Sequence, residues 1–124
     1  MKRNTRQRQA IRDVLIRAGR PLTPHEILTA SQEIIPSLGI ATVYRTINSL
    51  REAGELNPVE LPGETPRYEM AGKGHHHHFH CLHCDRVFDI HKCISDFEEM
   101  RPEGFILDRH AVILYGTCEE CNNK

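Results

Sequence analysis

At 124 residues, with 39% hydrophobic and 27% charged side chains and no tryptophan, the chain can fill one domain or two very small ones, and it lacks the aromatic mass for a large core. No apolar run nears the roughly 20 residues that span a bilayer, and no signal-type segment follows the basic start, so a cytoplasmic protein without a membrane partner is expected. The net charge of −1 is unevenly spread: residues 1–20 carry seven basic side chains against Asp13 alone, leaving 9 basic and 16 acidic for the remaining 104. A basic arm on an acidic body suits a polyanion on one face, although a solvated, charge-rich helix has the same composition.

Ile11, Val14, Leu15 and Ala18 recur at helical spacing, and Gly19 and Pro21 end that helix. Thr23-Pro24-His25-Glu26 is a capping box with proline at the first helical position. The helix it opens carries Ile27, Ala30 and Ile34 on one face and is predicted to stop before Pro36. A third helix follows, with Val43, Ile47 and Leu50 as its apolar stripe and Gly54 as its C-terminal stop. The period then changes. Leu56–Leu61 and Arg67–Met70 read as two strands around the turn Pro62-Gly63-Glu64-Thr65, the wing of a winged-helix module. Residues 1–71 thus form a predicted winged-helix domain and 72–74 a linker.

With Val43, Ile47 and Leu50 facing inward, Thr42, Tyr44, Arg45 and Asn48 lie on the other faces of the third helix. Arginine and asparagine read base edges, and a tyrosine ring packs on a thymine methyl or bonds a phosphate. A plain amphipathic helix with a polar outer face is the alternative; the basic first helix and the wing favour DNA.

Residues 75–124 form the second predicted domain. Strands are expected at His75–Leu82, Arg86–Ile90 and Phe105–Tyr115, with a helix at Ile94–Arg101. Seven of the nine histidines and three of the five cysteines fall between His75 and Cys93. Cys81-Leu82-His83-Cys84 and Cys118-Glu119-Glu120-Cys121 are two C-x-x-C knuckles, which together make a closed tetrahedral zinc site. A redox dithiol in each motif or an iron–sulfur cluster is the weaker reading, since no thioredoxin-like context is evident. In a strand, His76 and His78 point one way and His75 and His77 the other, so one strand can feed two metal sites. Glu69, Asp89, Asp96 and His110 offer further ligands. Cys93 reads as a buried small side chain; a redox-reactive thiol or a ligand alongside His91 is the sharper alternative.

With these residues in hand, the chain resembles the ferric uptake regulator family of bacterial repressors. Ala41-Thr42-Val43-Tyr44-Arg45-Thr46-Ile47, the run His75–Cys84, and Leu114-Tyr115-Gly116-Thr117-Cys118 with Cys121 carry the resemblance. It implies an α+β fold: an N-terminal winged helix-turn-helix domain and a small C-terminal α/β dimerisation domain. It also implies a homodimer that binds palindromic, AT-rich double-stranded DNA when loaded with a regulatory divalent metal. Arg8, Tyr44 and Arg45 match positions that meet DNA, and Cys81, Cys84, Cys118 and Cys121 match structural zinc ligands. Glu69, His76, His78 and Asp89 resemble the sensory site, and His75, His77, Asp96 and His110 a further site. The chain departs from the family at Pro21, where members place a histidine, and at His77, where many place aspartate. It also lacks the cysteine that the zinc-sensing branch often places before the histidine run. Mixed nitrogen and oxygen ligands without a sensory thiolate suit Fe(II) or Mn(II). The expected function is therefore Fe(II) or iron-dependent peroxide sensing, with zinc sensing as the alternative and metal storage or chaperoning as a distant one. There is no H-E-x-x-H, no nucleophile–base pair and no small-molecule substrate pocket to read, so no enzyme is expected.

Overall fold

The computed structural model describes residues 2–93 and 97–123, and side chains from Thr5 onward. It divides into two compact units, Met1–Lys73 and Gly74–Lys124.

In the first unit, α1 spans Lys2–Ala18, α2 Pro24–Ser31 and α3 Ile40–Glu52. Their apolar faces meet in one core of Ile11, Val14, Leu15, Ile27, Val43, Ile47 and Leu50, joined by Leu22, Leu38 and Leu56. The capping box at α2 is complete: Glu26 N–H donates to Thr23 Oγ1 at 3.1 Å, and Thr23 N–H donates to Glu26 Oε1 at 3.0 Å. This helix is shorter than the sequence predicts. It ends at Ser31, and the chain tightens through Ile34 N–H to the Ser31 carbonyl at 3.0 Å. Pro36 disfavours the helical conformation at the residue before it, so Ile35 reaches the core from a turn instead. At the end of α3, Gly54 adopts φ +79°, the left-handed conformation that closes a helix and that a side chain would strain.

The wing follows. Strand β1, Leu56–Val59, pairs antiparallel with β2, Arg67–Met70, with Leu56 opposite Met70 and Val59 opposite Arg67. The first strand stops two residues short of the predicted Leu61. A connection not evident in the sequence ties the hairpin to the helices: Leu22 and Tyr68 exchange both backbone hydrogen bonds, at 2.9 and 2.8 Å.

In the second unit, β3 (His77–Cys81) is central, with β4 (Val87–Ile90) antiparallel on one side and β5 (Ile113–Gly116) parallel on the other. A short helix, α4, spans Glu119–Asn122. The predicted strands are trimmed, the last one severely. Phe105–Tyr115 reduces to Ile113–Gly116, because Phe105, Ile106 and Leu107 are consecutive and all exposed, with no single face to bury. His110 therefore precedes the strand rather than lying on it. The predicted helix at Ile94–Arg101 is a 3₁₀ turn, Phe97–Met100, among the described residues. Ile94, Ser95 and Asp96 lie outside them. The buried apolar set of this unit is small: Cys81, Val87 and Cys118 among the described residues. That is too little to hold fifty residues without a staple.

Candidate metal centres and nucleic-acid interface

The four knuckle cysteines converge. Cys81 ends β3, Cys84 follows in the turn, Cys118 caps α4 and Cys121 lies within it. Their sulfurs all lie within 4.8 Å of one another, as a single tetrahedral ion requires. Cys118 N–H donates to Cys81 Sγ at 3.3 Å, and Cys84 Sγ lies 3.8 Å from Cys118 Sγ. The Cys84 N–H, first, holds the Cys81 thiol down to about 5, with help from the N–H groups of Cys118 and His83. Burial pushes Cys121 up to about 12, and the neighbouring sulfurs push the same way. Such a set ionises fully only around a cation, so its donor chemistry fits a thiophilic dication.

Sequence reasoning missed Arg86. Its Nε–H donates to Cys84 Sγ at 3.1 Å, and Nη2 donates to Glu120 Oε2 at 2.7 Å. That contact lowers the Cys84 thiol and raises the guanidinium. The available signal was a cation two residues past a knuckle on the way into a strand.

Along the histidine run, of which His77, His78 and His80 lie on β3 and His75 and His76 precede it, the rings alternate between two sides. His78 stands opposite Asp89 of β4, with His78 Nε2 3.5 Å and His76 Nε2 3.9 Å from Asp89 Oδ1. His76 Nδ1 contacts the Gly74 carbonyl at 2.9 Å, which fixes Nε2 as the nitrogen facing the carboxylate. His91 Nε2 lies 4.0 Å from Asp89 Oδ2. Three donors of the expected set, from His76, His78 and Asp89, thus gather at one place, with His91 beside them. Glu69, the fourth residue of the expected set, lies on β2 of the first unit opposite Asn57 and is paired with Lys73 at 3.4 Å.

On the opposite side lie His77 of β3 and His75 just before it, with rings 4.6 Å apart. His110 joins them, with centroids 4.9 Å from His75 and 5.1 Å from His77, and stacks on Phe97 at 4.2 Å. His77 is buried, and that burial, followed by the neighbouring imidazoles, lowers its pKa. Cys93 is exposed, against the expectation of a buried side chain, because it sits in an irregular stretch after β4. It contacts His110 rather than His91.

On α3, Tyr44, Arg45 and Asn48 are exposed while Thr42 is half-buried and accepts from Arg45 Nη2 at 3.1 Å. Thr46 is buried with the apolar stripe. Arg8 turns toward α3, where its Nη1 donates to Ser49 Oγ at 2.7 Å. The outer face of α3 is thus open to a groove, and Arg8 braces it from α1. His25, near Pro21, is exposed. Among the described residues no helix is long and apolar enough to cross a membrane.

Residues 2–115 match the model of the ferric uptake regulator family. The ferric uptake regulation protein of Campylobacter jejuni is 33% identical over 125 residues, covering 97% of this chain and 80% of the relative. The peroxide operon regulator of Bacillus subtilis is 28% identical over 125 residues, covering 98% and 86%. A solved structure of the Helicobacter pylori ferric uptake regulator Fur, described as revealing three functional metal binding sites, superposes with a TM-score of 0.71. It shares 29% identity and covers 94% of this chain and 79% of its own. The winged helix, the paired knuckles and the two-faced histidine strand agree with this likeness, and the chain belongs to the ferric uptake regulator family.

Proposed function

We propose that the protein is a cytoplasmic, non-enzymatic, metal-responsive repressor that binds palindromic, AT-rich operator DNA as a homodimer. It senses Fe(II), or peroxide through bound iron. Cys81, Cys84, Cys118 and Cys121 hold structural Zn(II). His76, His78 and Asp89, with Glu69 added by the sequence resemblance, take the regulatory ion. His75, His77 and His110, with Asp96 by resemblance, form a further site. Tyr44, Arg45, Asn48 and Thr42 read the groove from α3, with Arg8 behind them. The exposed apolar residues Phe105, Ile106, Leu114 and Tyr115 support a partner copy on the second unit.

One observation carries the reading: the all nitrogen and oxygen donor set around Asp89, with no thiol grouped with it among the described residues. Such donors suit Fe(II) or Mn(II) better than a dedicated zinc sensor. Regulation then follows from ordering. An ion on these ligands fixes the arrangement in which the recognition helices meet two half-sites, and without it that ordering draws on DNA-binding energy.

The test is anaerobic fluorescence anisotropy on a duplex from the protein's own promoter, at fixed salt because phosphate contacts are salt-dependent. Protein carrying one zinc is titrated separately with Fe(II), Mn(II) and Zn(II). Tightening by Fe(II) far beyond the others supports the proposal. Unchanged affinity with every metal overturns sensing and leaves constitutive binding or metal storage. Zinc sensing is the second reading, favoured by the histidine-rich cluster that includes Cys93.

A further inference from the structure

We infer that Cys93 is a metal ligand, completing with His75, His77 and His110 a site of three imidazoles and one thiolate. The inference deepens the reading of this cluster as a metal site and rests on it. The sequence offers Asp96 as the fourth ligand; the geometry offers Cys93.

Four observations meet here. The ligand atoms of His75, His77, Cys93 and His110 all lie within 4.8 Å of one another. Cys93 Sγ is 3.3 Å from His110 Nε2, so the thiol is already turned toward the group. The three rings pack edge-on or tilted, with centroids 4.6 to 5.1 Å apart, the crowding of ligands around a shared point rather than of stacked core side chains. And His77, only 4% exposed, holds a buried Nε2 with no hydrogen-bond partner among the described residues, while its Nδ1 accepts the Val112 N–H at 3.2 Å. An orphaned polar atom in a buried ring is costly unless something binds it. If Nε2 is the ligating nitrogen, the ring proton moves to Nδ1 and the Val112 N–H loses its acceptor.

The chemistry differs from that of the Asp89 set. Binding releases the Cys93 proton to solvent, and the thiolate cancels one of the two charges of the ion. A soft sulfur with three imidazoles selects Zn(II) or Co(II) in tetrahedral geometry over Mn(II) or Fe(II), which favour harder oxygen-containing sets. The two faces of one strand thus present donor sets of different hardness.

The experiment uses the full chain with one zinc already bound, titrated anaerobically with Co(II). Absorbance reports ligation: a thiolate-to-cobalt charge-transfer band in the near ultraviolet marks sulfur, and released zinc is measured in the same samples. Asp89→Asn in the background silences the other histidine set. We expect a thiolate band without zinc release. Cys93→Ser loses the band and weakens that equivalent at least about tenfold, the lower end of what losing even an outer-shell partner of a ligand costs. Asp96→Asn keeps both. Cys93 is exposed, so its substitution leaves the fold intact. Cobalt binding without a thiolate band, or a band surviving in Cys93→Ser, overturns Cys93 while leaving the cluster a metal site. Loss of the ion in Asp96→Asn but not in Cys93→Ser returns the fourth position to the carboxylate. No cobalt bound at all overturns the cluster itself.

Discussion

Arg86 donates through Nε to the sulfur of Cys84 at 3.1 Å, and its other arm reaches Glu120 beside the second knuckle at 2.7 Å. One cation therefore spans the two halves of the four-cysteine site. A zinc tetrathiolate carries two net negative charges, and a guanidinium donating to a ligand sulfur offsets part of that charge. We expect Arg86→Met to speed zinc loss to a chelator by about 10–100-fold, the usual consequence of removing such support. Unchanged release kinetics by a colorimetric zinc dye would show the contact to be incidental.

Where the knuckles keep their folded arrangement, zinc loading of the reduced, metal-free protein at pH 7 is expected to release protons, but fewer than four. Cys81, held down at about 5, is already a thiolate there, whereas Cys121, pushed up to about 12, must lose its proton to the solvent. Acidification through the Cys81 value then protonates a ligand that binding needs ionised, so zinc retention falls as pH falls. Calorimetry in buffers of different ionisation enthalpy counts the protons. A count of four refutes the uneven ionisation.

Tyr44→Ala and Arg45→Ala are expected to weaken operator binding by about 1–3 kcal/mol each while leaving the melting temperature nearly unchanged. Both side chains are exposed on α3, so on the proposed reading their loss removes contacts to DNA and not to the core. Anisotropy and a thermal melt on the same samples separate the two effects. Full affinity in both variants would remove the outer face of α3 from the interface.

Ile47, fully buried on the same helix, should behave in the opposite way. Ile47→Ala leaves a cavity among Ile11, Ile27 and Val43 and is expected to destabilise the first unit by about 2–5 kcal/mol. Denaturant unfolding checks the value, and a change within error would mean that the core repacks around the gap.

Local signals in the chain were legible where chemistry is written into adjacent residues. The capping box at Thr23, the helical stripe of Val43, Ile47 and Leu50, the turn at Gly63 and the two knuckles all rest on short spacings that backbone geometry converts directly into structure. The alternation of the histidine run likewise needed only the period of a strand. Contacts between distant segments were not legible. Leu22 pairing with Tyr68, Arg86 bridging to Glu120, and Cys93 turning to His110 across an irregular loop depend on where the chain returns, which no local pattern encodes. The same holds for Phe105–Leu107. An apolar run with every side chain exposed reads from sequence as a buried strand, because the pattern states hydrophobicity and not the surface that covers it.

The parallel pairing of β5 with β3 has a kinetic consequence. Phe79 meets Leu114 only after the chain has closed a long excursion through β4 and the loops beyond it, so the central contact of the sheet is among the most non-local in the second unit. Such closures slow folding, since the entropy of bringing the ends together is lost before the contacts that reward it can form. An ion caught first by Cys81 and Cys84 and then by Cys118 and Cys121 draws the same two segments together just beyond the pairing residues. Zinc would then act on the second unit as a folding nucleus as well as a staple, setting how fast the sheet forms and how long newly made chains expose Ile113 and Leu114 to one another.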